Sequence, residues 1–128
     1  MAIKELIPFL TVKDAGAAAE FYRRALGADE ISRQAAPTGQ LVIELEVQGH
    51  RFFAVDENPA AFNVSPASMG GTTVRMSLIV DDPDALAARF VAAGGRLIFP
   101  VDDQPYGMRQ GRVADPEGHH WLVGKPLA

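Results

Sequence analysis

Between residues 41 and 47 the chain alternates Leu41, Ile43, Leu45 and Val47 against Val42, Glu44 and Glu46, the period-two pattern of a half-buried strand. Gln48-Gly49 then turns the chain back into residues 50–56, which predicts a hairpin. Upstream, residues 6–12 form an apolar run bounded by charge, read as a strand in which Pro8 marks an edge or a bulge. Asp14 is placed to cap a helix. Ala18, Phe21, Tyr22, Ala25 and Leu26 follow at the spacing of one buried helical stripe, and Gly27 ends it.

The same succession then returns. Residues 73–80 read as a strand, Asp82 as a cap, and Pro83 takes the favoured first helical position. Leu86, Phe90 and Ala93 supply the buried stripe before Gly94-Gly95 stops it. A short strand at 96–99, a loop through Pro100 and Pro105-Tyr106-Gly107, a strand at 108–114 and a strand at 119–124 complete the unit. The turn Asp115-Pro116-Glu117-Gly118 between the last two has the residues a type I turn prefers. Asp14 and Asp82 are 68 residues apart, as are Gly27 and Gly95, and Gly49-His50 is echoed by Gly118-His119 at an offset of 69. Each half therefore reads β-α-β-β-β. Residues 57–72 are rich in Pro, Ala, Ser, Asn and Gly and join the two. The expectation is one α+β domain over 1–128, with halves of about 1–58 and 73–128 around a linker of about 59–72. A unit repeated once at half the chain length implies two pseudo-symmetric halves enclosing a shared cavity.

Composition narrows the chemistry. The 128 residues carry no cysteine, which removes disulfides, thiolate metal sites and a cysteine nucleophile. A net charge of −4 argues against nucleic acid or an anionic membrane as a partner. The N-terminal apolar run is short and charge-interrupted, so neither a signal peptide nor a membrane span is expected and the cytoplasm is the default location.

Phe9-Leu-Thr-Val-Lys-Asp14, Glu20-Phe-Tyr-Arg-Arg-Ala-Leu-Gly27 and especially Gly111-Arg-Val-Ala-Asp-Pro-Glu-Gly-His119 carry a resemblance. The tandem unit resembles the vicinal oxygen chelate superfamily of glyoxalases, bleomycin-resistance proteins and extradiol dioxygenases, and the last stretch looks most like its PhnB-like branch. The resemblance implies an eight-stranded, partly open barrel and a homodimer. It further implies that metal-dependent members draw ligands from the first and last strands of each half. Carried over through the Val-x-Asp and Asp-Pro-x-Gly landmarks, those positions fall on Ile7, Phe53, Arg75 and Leu122. Ile, Phe and Leu offer no donor lone pair and an arginine repels a cation, so no metal or other cofactor is expected.

Strand alternation extends this register along the presumed cavity face: Ile7, Phe9 and Thr11; Arg51, Phe53 and Val55; Arg75, Ser77 and Ile79; His120, Leu122 and Gly124. Leu10, Val12, Phe52, Met76, Leu78, Val80, Trp121 and Val123 take the opposite face, under the helices. The candidate ligand-binding residues are thus Phe9, Phe53, Arg75, Ser77, Tyr106, His120 and Leu122, with Tyr106 in a loop able to cover the cavity mouth. Arg75 can hold a carboxylate or phosphate, or pair with a structural acid such as Glu44; Phe9 and Phe53 can stack on a planar ligand. His119 and His120 point to opposite faces and cannot share one ion, and His50 and His119 read as turn residues. No catalytic residue is assigned, although His120 is a candidate general base.

Three functions fit. One is a metal-independent protein that binds a planar or anionic small molecule. A second is an enzyme of the superfamily, either a metal-dependent lyase or dioxygenase with a rearranged site or a metal-free isomerase using His120. The third is a structural or regulatory homodimer with a filled cavity.

Overall fold

A computed structural model describes residues 1–128 and contains eight strands and three helices. In chain order they are β1 (Phe9–Val12), α1 (Ala15–Leu26), β2 (Asp29–Ala35), β3 (Leu41–Val47), β4 (His50–Asp56), α2 (Pro66–Met69), β5 (Arg75–Ile79), α3 (Pro83–Ala92), β6 (Arg96–Asp103), β7 (Met108–Ala114) and β8 (His120–Pro126). The strands divide into two four-stranded mixed sheets, ordered β1-β4-β3-β2 and β5-β8-β7-β6, and close no barrel. In each sheet the first strand runs parallel to the last, and the remaining pairs are antiparallel. No helix is long and apolar enough to cross a membrane.

The helix boundaries follow from local chemistry. The Asp14 carboxylate accepts from the Ala17 N–H at 3.0 Å, and Asp82 accepts from Ala85 at the same distance. Gly27 closes α1 with φ of 68°, a left-handed conformation that favours glycine.

Strand limits differ in places from those read in the sequence. β1 begins at Phe9, β5 is confined to Arg75–Ile79, and β8 runs His120–Pro126. β2 is a strand that the pattern did not place; it is a charged edge strand, exposed along nearly its whole length, so no apolar period betrays it. The segment read as a loop from Pro100 is strand as far as Asp103. Pro100 is tolerated there because β6 is an edge strand whose register shifts between Phe99 and Asp102. Gly111 permits this bulged approach, since a Cβ at that position would lie 2.7 Å from the Val101 nitrogen. The linker contains α2 and a single 3-10 turn at Pro59–Ala61.

Both sheets bury the same kind of face in one common core. Leu10, Val12 and Phe52 from the first sheet meet Val113, Trp121 and Val123 from the second, with Phe21, Tyr22 and Phe90 of α1 and α3 between them. Phe21 packs edge-on against Phe90 at 5.0 Å, and Trp121 lies 5.5 Å from Tyr22 and 5.8 Å from Phe52. Polar bonds also cross between the halves. Lys13 N–H donates to Glu117 at 2.6 Å, Arg24 to the Ala93 carbonyl at 2.6 Å, and Arg89 to the Arg24 carbonyl at 2.7 Å. The halves are therefore joined back to back through their helices.

Candidate functional site

A sheet has two faces, and here both sheets spend the apolar one on the shared core. The remaining faces are consequently open and turned away from each other. The residues foreseen under the helices behave accordingly: Leu10, Val12, Phe52, Trp121 and Val123 are buried, and Met76, Leu78 and Val80 are half-buried.

On the open face of the first sheet, Phe9 and Phe53 sit directly opposite across the parallel β1–β4 pair and stack at 4.3 Å with an interplanar angle of 15°. Phe9 remains 60% exposed, an unusual state for an aromatic ring already partnered. Beside them lies Glu44, the cross-strand neighbour of Phe53. Its carboxylate accepts from Arg51 at 3.1 Å, and Arg51 also grips Glu5 at 2.9 Å. Arg75 makes no ion pair with Glu44 or any other acid of the chain.

The open face of the second sheet has a different character. Register places Arg75, His120, Ala114 and Arg96 in one cross-strand row, and Ser77, Leu122, Arg112 and Phe99 in the next. A cleft of about 340 Å³ lies over this face, lined by Arg75, Arg112 and Leu122 with Phe99, Tyr106 and Gln110. Tyr106 stands in the β6–β7 turn, and its hydroxyl donates to the Gln110 side chain at 2.6 Å. The guanidinium of Arg112 lies 5.5 Å over the Phe99 ring, and its Nε is buried without an acceptor.

The His120 ring makes no hydrogen bond within the chain, whereas the His119 ring bonds the Thr11 carbonyl through Nε2 at 2.7 Å. Burial lowers the His120 pKa, and the nearby charges of Arg112 and Arg96 lower it further. The imidazole is thereby held neutral near pH 7.

Within one chain the candidates foreseen from the sequence separate into two groups. Phe9 and Phe53 belong to one wall; Arg75, Tyr106, His120 and Leu122 belong to the other. Ser77 shares the second face but borders a groove of about 630 Å³ along the β5 edge, together with Ile7 and Pro8. Arg96 and Arg112 were not foreseen. Alternation along 108–114 was the available signal, since it puts Arg112 on the face opposite to the buried Val113.

The resemblance carries the metal-ligand positions onto Ile7, Phe53, Arg75 and Leu122, and nowhere do three His, Cys, Asp or Glu side chains converge in a metal-binding group. This donor set does not fit a divalent cation.

Residues 9–123 match the model of a glyoxalase-like domain family. An uncharacterized protein of Mycobacterium bovis is 39% identical over 126 residues, spanning 95% of this chain and 83% of its own length. Among solved structures, TnmS3, an antibiotic binding protein from Streptomyces sp. CB03234, superposes with a TM-score of 0.73 at 26% identity, covering 98% of both chains. A glyoxalase-related enzyme from Fulvimarina pelagi superposes with a TM-score of 0.74 at 24% identity, over 96% of this chain and 88% of its own, a likeness of fold alone.

Proposed function

This chain belongs to the glyoxalase-like domain family of the vicinal oxygen chelate superfamily, and from that premise we propose that it is a metal-independent small-molecule-binding protein working as a homodimer. The observation that carries the proposal is the outward orientation of two unlike walls, one with stacked aromatics and one with arginines. Pairing the first sheet of one copy with the second sheet of another encloses the site, with Phe9 and Phe53 facing Arg75, His120 and Leu122.

A planar ligand suits the aromatic wall. The donor set at the four strand positions supports binding without a metal, and the likeness to an antibiotic binding protein points the same way. Binding is favoured over catalysis because no protein group holds the His120 ring in one tautomer, as a general base requires.

The test combines sedimentation with calorimetric titration of neutral naphthalene and quinoline derivatives, before and after chelator treatment. The expected result is a dimer that takes one planar ligand per protomer equally well in both states. Binding that returns only when zinc, nickel, manganese or iron is restored would overturn the proposal.

A further inference from the structure

The nine arginines of this chain fall into three classes. Arg23, Arg33, Arg51 and Arg109 each bond a carboxylate at 2.6–3.1 Å. Arg24 and Arg89 donate to backbone carbonyls. Arg75, Arg96 and Arg112 do neither, and all three stand on the open face of the second sheet in adjacent cross-strand rows. The chain has sixteen acidic side chains against twelve basic ones, so partners are not scarce. Three unpaired guanidinium groups on one face repel each other, and that arrangement is stabilised when an anion arrives.

We infer that this wall is an oxyanion-binding subsite, in which Arg75, Arg96 and Arg112 hold a phosphate or carboxylate group of the ligand. The inference rests on the reading above that the wall belongs to a small-molecule cavity. The geometry suits the task in three respects. Arg112 is positioned in advance by the Phe99 ring, so little side-chain freedom is lost on binding. Its buried Nε lacks an acceptor, which an oxyanion supplies. The cleft of about 340 Å³ bordered by Arg75 and Arg112 leaves room beside the guanidinium groups for a ligand group. Gln104, Gln110 and Tyr106 border the same cleft with neutral polar groups. Asp102, the one acid on its rim, accepts from the Asp103 N–H at 2.8 Å and pairs with none of the three arginines.

The test uses the full chain and three probes at constant ionic strength: inorganic phosphate, 2-naphthoate and the neutral 2-naphthamide. Phosphate and naphthoate are expected to raise the thermal midpoint against chloride. Arg112→Gln and Arg96→Gln should each weaken phosphate at least tenfold, Arg112→Lys should retain part of the affinity, and Arg33→Gln should retain all of it. The two naphthalene compounds separate the anion from the ring. If naphthamide binds as tightly as naphthoate and phosphate does nothing, the oxyanion subsite is overturned while the cavity reading stands. If phosphate binds through the arginines but neither naphthalene adds affinity, the subsite stands and the aromatic cavity is lost. Indifference to phosphate together with dissociation of the Arg→Gln variants into monomers would also overturn it, assigning the arginines to the partner copy's acids instead.

Discussion

Tyr22, on the helix of the first half, donates its hydroxyl to the carboxylate of Asp115 in a turn of the second half. Asp115 also accepts from Trp121 Nε1 at 2.9 Å and from the backbone N–H groups of Glu117 and His119, both at 3.0 Å. One buried carboxylate thus closes its own turn and ties that turn to the aromatic core shared by both halves. Burial, then the adjacent Asp115 charge, pushes the Tyr22 phenol well above its ordinary value, so it remains a donor at neutral pH.

Replacing Tyr22 by Phe removes this donor and keeps the ring. The expected loss is about 1.5–3 kcal/mol, the range for a hydrogen bond to a charged group, read from urea unfolding. Asp115→Ala strips four bonds at once and should cost more. A Tyr22→Phe protein as stable as its parent would mean that this bond does not couple the halves.

Gly95 lies where β6 leaves α3. A Cβ there would approach the Ala114 carbonyl to 2.8 Å and Phe90 to 2.9 Å. Gly95→Ala is expected to destabilise by about 1–3 kcal/mol through overpacking. Gly71→Ala meets no atom within 4 Å and should stay within about 0.5 kcal/mol of the parent. Comparable thermal midpoints for the two variants would contradict this packing.

Phe9 and Phe53 offer a ligand a single stacked platform. Phe9→Ala and Phe53→Ala are each expected to weaken a planar ligand roughly 2- to 10-fold. The double variant should lose less than the product of the two, because each ring supports the other. Calorimetry on all three variants reads this directly; fully additive losses would separate the rings energetically.

His120 makes stability depend on pH with a definite sign. Its folded-state pKa lies below the ordinary imidazole value, owing first to burial, then to Arg112 and Arg96, with a smaller push from His119 and an opposing pull from Asp115. The unfolded chain therefore binds the proton first as pH falls. Stability is fully retained above about pH 6.5, the unperturbed imidazole value, and declines as pH drops through the folded-state value. His120→Gln should flatten the curve in that window. By proton NMR, Arg112→Gln should raise the His120 midpoint; an unchanged midpoint would exclude Arg112 as a source of the shift.

Much of the fold was legible because the repeat acts as a ruler. Phe9 pairs with Phe53 and Ser77 with Leu122, so the offsets of 68 and 69 carry one register onto the other. β2 escaped because a charged edge strand satisfies its backbone without an apolar face, leaving no periodic trace. Pro100 made the end of β6 read as a loop, since proline signals a break unless the strand is known to be an edge. Arg96 and Arg112 went unremarked because strands β6 and β7 were never given a register.

The sequence by itself determined the recurrence of one supersecondary unit, the Asp14 and Asp82 helix caps, the face on which residues of β1, β4, β5 and β8 lie, and the side-chain chemistry present at Ile7, Phe53, Arg75 and Leu122. These properties depend on backbone periodicity and on the atoms each side chain carries, and neither needs a partner in space. Only the tertiary structure decided that the units join back to back, which turns the Phe9–Phe53 wall and the arginine wall outward. It alone also separated the paired arginines from the unpaired ones. Which helix stripe packs against which, and which acid lies within reach of which guanidinium, depends on contacts between residues far apart in the chain, and no local pattern encodes those distances.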